Sequence, residues 1–210
     1  VVEGKAKTSG CPVGGTVVSN KIAQILGVEN NDEEEKIAQV LCNGTLQNCD
    51  KKYEYQGLED CVSASTLYGG PSACLYGCIG MGTCVKACPF DAIIIKDGIA
   101  KVLAAKCTGC GICVKSCPKN IIKLVPKNNI HVVNCSSLDR GNIVRQACSV
   151  GCIGCMRCVK ACSVGAIKMS SSLAVIDNKT CINCKECVNV CPTGAIKPLY
   201  IAQFGSCQNM

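Results

Sequence analysis

Cysteines that recur at one fixed offset constrain this chain more than any other feature. Nine of them each have a partner 74 residues later. A match with no drift indicates a duplicated module whose role depends on thiols. The pairs are Cys61 and Cys135, Cys74 and Cys148, Cys78 and Cys152, Cys84 and Cys158, Cys88 and Cys162, Cys107 and Cys181, Cys110 and Cys184, Cys113 and Cys187, and Cys117 and Cys191.

The abundance of cysteine, 23 of 210 residues, narrows the class of protein. A content this high usually indicates a disulfide scaffold in a short secreted chain. Here the cysteines fall in C-x2-C-x2-C-x3-C runs, whose close spacing suits one inorganic cluster and disfavours pairing as disulfides. The chain has no Trp and two Phe, so clusters would have to supply part of its cross-linking. The first ten residues have no long apolar stretch typical of a signal peptide, and we expect a reducing, cytosolic compartment.

The formal charge of +7 treats every cysteine as neutral. Four clusters, each with four thiolates, would contribute roughly −8 when oxidised, which brings the loaded protein near neutrality. The basic excess is therefore interpreted as charge compensation. Nucleic acid is not an expected partner, because the sequence offers no aromatic stacking platform and no dense stripe of Lys and Arg. No stretch approaches the ~20 apolar residues of a membrane-spanning helix.

Three segments define the predicted organisation. Residues 1–60 form a small helical N-terminal segment, interpreted as the remainder of a cluster domain. Residues 61–134 and 135–210 form ferredoxin-like modules one and two. The fold class is therefore α+β, with tandem bacterial-type two-cluster ferredoxin modules and a pseudo-twofold axis inside each module.

Local patterns predict the elements. Residues 19–26 carry apolar side chains on one face, and Gly27 follows as a C-cap. Asp32 and the three Glu residues after it resemble the N-cap and first turn of a second short helix, with apolar residues between 37 and 41 on one face. In each module a ligand loop leads to a short helix and then to two small strands. These strands are predicted at residues 92–95 and 99–103, and at 166–169 and 173–176.

Three cysteine runs match the bacterial two-cluster ferredoxin motif, in which the fourth cysteine binds the other cluster. Soft thiolates favour iron–sulfur clusters, and nearby glycines let backbone N–H groups approach the sulfurs. Structural zinc also uses four-cysteine sites, but three such runs in tandem disfavour it. The predicted ligand groups are Cys152, Cys155 and Cys158 with Cys191; Cys181, Cys184 and Cys187 with Cys162; and Cys107, Cys110 and Cys113 with Cys88.

The fourth site of the two modules is irregular, because Met81 stands where module two has Cys155. Three interpretations compete. In the favoured one Cys74 supplies the missing thiolate; alternatively the site holds a three-iron cluster, or it is lost. Coordination by the Met81 thioether is disfavoured because that sulfur is a weak ligand. The favoured group is Cys74, Cys78, Cys84 and Cys117.

Several cysteines lie outside these four [4Fe–4S] groups. Each could be a small buried hydrophobic residue, but some are repeat partners, so a fifth cluster is an open alternative. Cys49 and Cys207 are expected to be ordinary residues. The fifth cluster would draw four ligands from Cys42, Cys61, Cys74, Cys135 and Cys148.

No catalytic constellation competes with the cysteine motifs. His131 is the only histidine, and we expect it to be structural. The sequence contains no Gly-rich phosphate loop and no dinucleotide fingerprint. We therefore expect no catalytic site in this chain, and any NAD or flavin chemistry would belong to a bound redox partner.

Beyond the cysteine runs, three segments resemble one family. Residues 57–61 (GLEDC), 68–80 (YGGPSACLYGCIG) and 10–15 (GCPVGG) are similar to the B subunit of the Rnf complex, in the long form of anaerobic bacteria. That complex is an ion-translocating ferredoxin:NAD⁺ oxidoreductase of the cytoplasmic membrane. The resemblance covers nearly the whole chain, and residues 57–84 are its more specific part.

The resemblance implies a role and a location. The chain would accept low-potential electrons from reduced soluble ferredoxin and pass them to membrane and peripheral subunits, at the cytoplasmic face of the membrane. Family members begin with a membrane helix and three upstream cysteines that this sequence lacks, so Cys11 would be the fourth ligand of an N-terminal cluster. The alternatives are a free polyferredoxin carrier, a ferredoxin-like subunit of a soluble dehydrogenase or hydrogenase, and a zinc module without redox function.

Overall fold

The structure, a computed structural model, describes residues 1–3, 5–11, 13–29, 34–127 and 131–198. It mixes short helices with two-stranded antiparallel sheets, which confirms the predicted α+β class. No helix among these residues has the length and apolar composition needed to span a bilayer. The helices are α1 Gly15–Leu26, α2 Cys61–Thr66, α3 Thr83–Lys86, α4 Ile112–Ser116, α5 Gly141–Ala147, α6 Arg157–Ala161 and α7 Glu186–Asn189. The strands are β1 Lys36–Val40, β2 Ile93–Lys96, β3 Ile99–Val102, β4 Ile122–Pro126, β5 His131–Val133, β6 Ile167–Ser170, β7 Leu173–Ile176 and β8 Ile196–Pro198.

The predicted first helix and the predicted hairpins are confirmed. Helix α1 begins at Gly15 and ends before Gly27, which adopts the left-handed conformation (φ 64°) expected of a C-cap. Strands β2 and β3 form one hairpin and β6 and β7 the other, within a residue or two of the predicted bounds.

The second predicted helix is wrong, because residues 36–40 form strand β1 instead. Its residues 37–40 are all buried, and it pairs with β4 so that Val40 lies opposite Ile122. An apolar stretch of this length fits either a short helix or a buried strand, and pairing with a distant segment decides between them. Asp32 lies outside the described residues.

The two modules share one architecture. In module one, β1 pairs with β4 and β2 with β3; in module two, β5 pairs with β8 and β6 with β7. Val133 opposite Ile196 in module two matches Val40 opposite Ile122 in module one. Each module thus takes its first strand from residues that precede the predicted boundaries at 61 and 135.

Each module has its own small core, and cysteines are part of both. Cys84 and Cys113 pack with Ile93, Ile121 and Ile122 in module one. In module two the corresponding core contains Cys152, Cys158 and Cys187, with Ile167 and Ile196. The ligand loops and the strands therefore pack against each other. A group bound by these cysteines would lie in contact with the hydrophobic core.

Candidate metal centre

Each predicted ligand run ends in a helix of about one turn, and its third cysteine is the second residue of that helix. These cysteines are 6–8% exposed. Two left-handed residues (φ 57–83°) precede each helix and turn the loop around a common point. At Gly80 and Gly109 a side chain would collide with the backbone carbonyl of Gly98 or Lys36, so only glycine fits there. The left-handed pairs are Gly80 and Gly82, Gly109 and Gly111, Gly154 and Met156, and Asn183 and Lys185.

Around three of these buried cysteines, the structure brings together the groups predicted from the crossed motif. Burial and then the charge of neighbouring thiols raise the pKa of Cys158 and of Cys113 to about 11. The pKa of Cys187 is raised for the same reasons. The neighbours are Cys152, Cys155 and Cys191 around Cys158; Cys107, Cys110 and Cys88 around Cys113; and Cys181, Cys184 and Cys162 around Cys187.

At the irregular site the structure differs from the prediction that Cys74 completes the group. Burial and then the charges of the neighbouring thiols Cys78, Cys61, Cys117 and Cys113 raise the pKa of Cys84 to about 12. Cys84 and the first three of these thiols line one cavity, which Cys74 does not reach. Cys61 therefore occupies the place for which the sequence favoured Cys74.

A cap explains why Cys61 lies there. Asp60 caps α2 by accepting a hydrogen bond from the backbone N–H of Ser63 at 2.9 Å. The Thr83 hydroxyl donates to Asp60 at 2.7 Å and accepts from the backbone N–H of Cys61 at 2.7 Å. Because Thr83 directly precedes Cys84, these bonds hold the start of α2 against the site. The pattern of Asp60 followed by Ser63 is an N-cap signal in the sequence that could have predicted this helix start.

Backbone N–H groups point at cysteine sulfurs in both modules. The N–H of Ala92 lies 3.4 Å from Cys88 Sγ, and the N–H of Ala166 lies 3.3 Å from Cys162 Sγ. Cys88 and Cys162 are the fourth cysteines of their runs, which are predicted to bind the neighbouring cluster. The N–H of Ala38 in β1 lies 3.4 Å from Cys107 Sγ. Such donors stabilise a thiolate in a buried site, as an iron–sulfur ligand requires.

The arrangement fits a polynuclear cluster. A zinc ion holds its thiolates about 2.3 Å away, whereas a four-iron cubane binds one thiolate at each of four iron corners and spreads them further apart. Four thiols around a small cavity, with backbone N–H groups that point at the sulfurs, suit a four-iron cluster.

The remaining predicted cysteines do not all gather at one site. Cys42, Cys74, Cys135 and Cys148 line a cavity between the modules, whereas Cys61 does not. Cys49, which was expected to be an ordinary residue, lines this cavity too. No motif with regular spacing marks Cys49 in the sequence.

Three further residues are placed as follows. Cys11 is exposed and lines a cavity beside Cys107, and its role in an N-terminal cluster stays a prediction. His131 lies in β5 and is 1% exposed, and burial lowers its pKa while a hydrogen bond with Asn183 partly opposes that effect. Cys207 lies outside the described residues.

Comparison with known families agrees with the module architecture. Two family models, both described as a 4Fe-4S dicluster domain, match residues 76–124 and 151–195. Of the cysteines that line the cavity between the modules, Cys78 lies inside the first match, whereas Cys42, Cys49, Cys74, Cys135 and Cys148 lie outside both.

Three relatives share 41–49% identity with the chain. The B subunit of the Na(+)-translocating ferredoxin:NAD(+) oxidoreductase complex of Acetobacterium woodii is 44% identical over 84% of this chain and 54% of its own length. The B subunit of the proton-translocating ferredoxin:NAD(+) oxidoreductase complex of Clostridium ljungdahlii is 49% identical over 80% of this chain and 59% of its own length. The chain thus spans little more than half the length of these two relatives.

The third relative is matched over more of its length. The B subunit of the ion-translocating oxidoreductase complex of Methanosarcina acetivorans is 41% identical over 85% of this chain and 68% of its own length. All three relatives are B subunits of ion-translocating complexes, and the cysteine architecture agrees with two dicluster domains. The chain therefore belongs to the family of Rnf B subunits.

Proposed function

We propose that the chain is the iron–sulfur electron-transfer part of an ion-translocating ferredoxin:NAD⁺ oxidoreductase complex. It accepts low-potential electrons from reduced soluble ferredoxin and passes them to partner subunits at the cytoplasmic face of the membrane. The observation that carries the proposal is the convergence of crossed cysteine groups around four buried thiols, two groups in each module. Two relatives are named as subunits of ferredoxin:NAD(+) oxidoreductase complexes, which supports ferredoxin as the donor and other subunits of a complex as partners.

Each group would bind one [4Fe–4S] cluster, so the two modules hold four. When bound, such clusters exchange single electrons at potentials between roughly −700 and +450 mV. The protein tunes that potential through burial and through the N–H groups that point at the sulfurs. The proposed ligands are Cys61, Cys78, Cys84 and Cys117; Cys88, Cys107, Cys110 and Cys113; Cys152, Cys155, Cys158 and Cys191; and Cys162, Cys181, Cys184 and Cys187.

Module two offers the better surface for exchange with a soluble carrier. Cys155 and Cys184 are exposed, whereas every proposed ligand in module one is at least partly buried. Exposed Met156 directly follows Cys155, and exposed Ile182 lies two residues before Cys184. The exposed charged residues of this module are mostly basic, which favours an acidic partner and speeds encounter. The exposed basic residues are Arg140, Arg145, Arg157, Lys160, Lys168, Lys179 and Lys185, against exposed Asp177 and Glu186.

The test is anaerobic stopped-flow reduction of the loaded protein by reduced ferredoxin at several salt concentrations. We expect rapid bleaching of the cluster absorbance, with a rate that falls as salt rises. Arg157→Glu with Lys160→Glu should slow this reaction at low salt, and Lys21→Glu on exposed α1 is the matched control. Protein that binds iron but is not reduced by ferredoxin would overturn the donor assignment.

A further inference from the structure

A cavity between the two modules is lined by cysteines that neither dicluster domain uses. Cys78, a proposed ligand of module one, lines this cavity as well. The five cysteines that line it outside the dicluster domains are Cys42, Cys49, Cys74, Cys135 and Cys148.

Cys49 lies where three chain segments meet. An isolated β-bridge pairs Cys49 with Cys148, and the N–H of Ser149 donates to the Asn48 carbonyl at 2.9 Å. On its other side, the N–H of Ala73 donates to the Asp50 carbonyl at 2.7 Å, which brings Cys74 beside Cys49. Backbone pairing therefore holds one cysteine of module two next to two cysteines from the first 74 residues.

Gly44 keeps the space between these thiols open. A Cβ atom at this position would lie 3.3 Å from Cys148 Sγ, 3.8 Å from Cys42 Sγ and 3.2 Å from Cys49 Cβ. The Gly44 backbone does not need a left-handed φ, since it is not among the positive-φ residues. The absence of a side chain at position 44 therefore leaves space between Cys42, Cys49 and Cys148.

The Cys42 sulfur has the surroundings of a ligand. The backbone N–H of Cys78 points at it from 3.4 Å, as other N–H groups point at the sulfurs of the proposed cluster sites. Burial and then the charge of Cys49 raise the pKa of Cys42. Burial and then the charges of Cys42, Cys49 and Cys135 raise the pKa of Cys74.

Cys135 differs from the other four. Burial and then the charges of Cys152, a proposed ligand of module two, and of Cys42 raise its pKa, and it packs in the core of module two. Cys135 thus borders both the cavity and the core of module two, whereas Cys42, Cys74 and Cys148 each have Cys49 as a neighbouring thiol.

We propose that a fifth [4Fe–4S] cluster lies between the two modules and is bound by Cys42, Cys49, Cys74 and Cys148. This inference rests on the proposed function, because it assumes that the modules themselves carry clusters. The cluster would link the two cluster pairs, since three of its ligands precede the first dicluster domain and the fourth precedes the second. It would also act as a covalent cross-link that fixes the modules relative to each other.

The experiment measures iron and acid-labile sulfide per chain after anaerobic purification of the full chain. We expect about twenty of each in the parent, and a loss of about four in Cys148→Ser and in Cys49→Ser. Cys135→Ser is the matched control and should keep the parent content. Gly44→Ala should also lose about four, although it removes no thiol, because its methyl group would enter the space between the ligands.

Each outcome separates this inference from the proposed function. A parent with about sixteen iron atoms, or a Cys49–Cys148 disulfide found by mass spectrometry in anaerobic protein, would overturn the fifth cluster and leave four clusters and the proposed function intact. A loss of four iron atoms in Cys135→Ser but not in Cys49→Ser would overturn the ligand assignment. A parent that holds zinc in place of iron would overturn the proposed function as well. The iron content of the parent protein tests the fifth cluster without any variant. The proposal can therefore be contradicted even if the variants fail to fold.

Discussion

At the scale of single residues, the irregular site combines thiols from two separate segments. Met81 stands at the place of the second cysteine of the run, and the thiol that lines the cavity with the other three is that of Cys61, 20 residues earlier in the chain. A cubane needs four thiolates around it but does not need them from one loop. The fourth thiolate can therefore come from any segment that packs against the site.

Double substitution tests whether Cys61 and Cys74 serve different sites. Because the structure places them in separate cavities, Cys61→Ser and Cys74→Ser should each remove about four iron atoms, and the double variant about eight. Iron and sulfide analysis of the three proteins would measure this. A double variant that loses only about four would mean that both cysteines bind the same cluster.

Restoring the regular motif should rescue the loss of Cys61. Met81 stands at the position of Cys155, so Met81→Cys in a Cys61→Ser background would supply a thiolate from the loop itself. We expect iron content and the EPR signal of the reduced protein to return to parent values. The control is Met81→Ser in the same background, which adds no ligand and should not rescue.

At the scale of elements, hydrogen bonds between helix starts position the ligands. The Thr83 hydroxyl is shared by the Asp60 carboxylate and the N–H of Cys61, so it couples the start of α2 to the start of α3. Two helices of six and four residues are too short to be stable alone. Their packing and the ligands that they carry must keep them in place.

Removal of the shared hydroxyl should weaken the irregular site selectively. Thr83→Val leaves the N–H of Cys61 without its acceptor, at a cost of about 1–3 kcal/mol. We expect faster release of about four iron atoms to a chelator, at least severalfold relative to the parent. Thr83→Ser keeps the hydroxyl and should release iron at the parent rate. Equal release from the parent and Thr83→Val would show that the cap does not hold Cys61 at the site.

At the scale of the whole molecule, buried polar contacts join the two modules. The Gln39 side chain in β1 donates to the Asn134 side chain at 2.9 Å, and both residues are buried. Nearby, the Ser136 hydroxyl donates to the Leu41 carbonyl at 2.9 Å. These bonds surround the cavity between the modules, so the relative position of the modules and the geometry of that cavity are coupled.

Breaking the Gln39–Asn134 pair from one side should destabilise the junction. Gln39→Leu would leave the buried Asn134 amide without this partner and lower the free energy of unfolding by about 1–3 kcal/mol. Anaerobic denaturant titration of the loaded protein would measure the loss. The double variant Gln39→Leu with Asn134→Leu should recover part of it, because no unpaired polar group remains. If the double variant loses the sum of the two single losses, the pair is not coupled.

The 74-residue repeat is only partly a structural repeat. The N–H of Leu41 bonds to the Ile121 carbonyl as that of Asn134 bonds to the Ala195 carbonyl, so Cys42 and Cys135 occupy equivalent places after β1 and β5. They are 93 positions apart, whereas Cys74 and Cys148 are 74 apart. Module one therefore contains 19 more residues between Cys42 and Cys74 than module two contains between Cys135 and Cys148. Cys61 and Cys135 are 74 residues apart in the sequence, but they do not occupy equivalent places in the two modules.

The sequence by itself determined the class of fold and the duplication, and it predicted three cysteine groups whose members the structure brings together. These depend on local spacing, since a loop of C-x2-C-x2-C wraps one centre wherever it is placed. The tertiary structure decided what depends on segments far apart in the chain. It made residues 36–40 a strand because β4 lies beside them, it brought Cys61 to the irregular site through Thr83, and it gathered Cys49 with thiols of both modules. No local pattern encodes such contacts, because they form only when distant backbone segments pair.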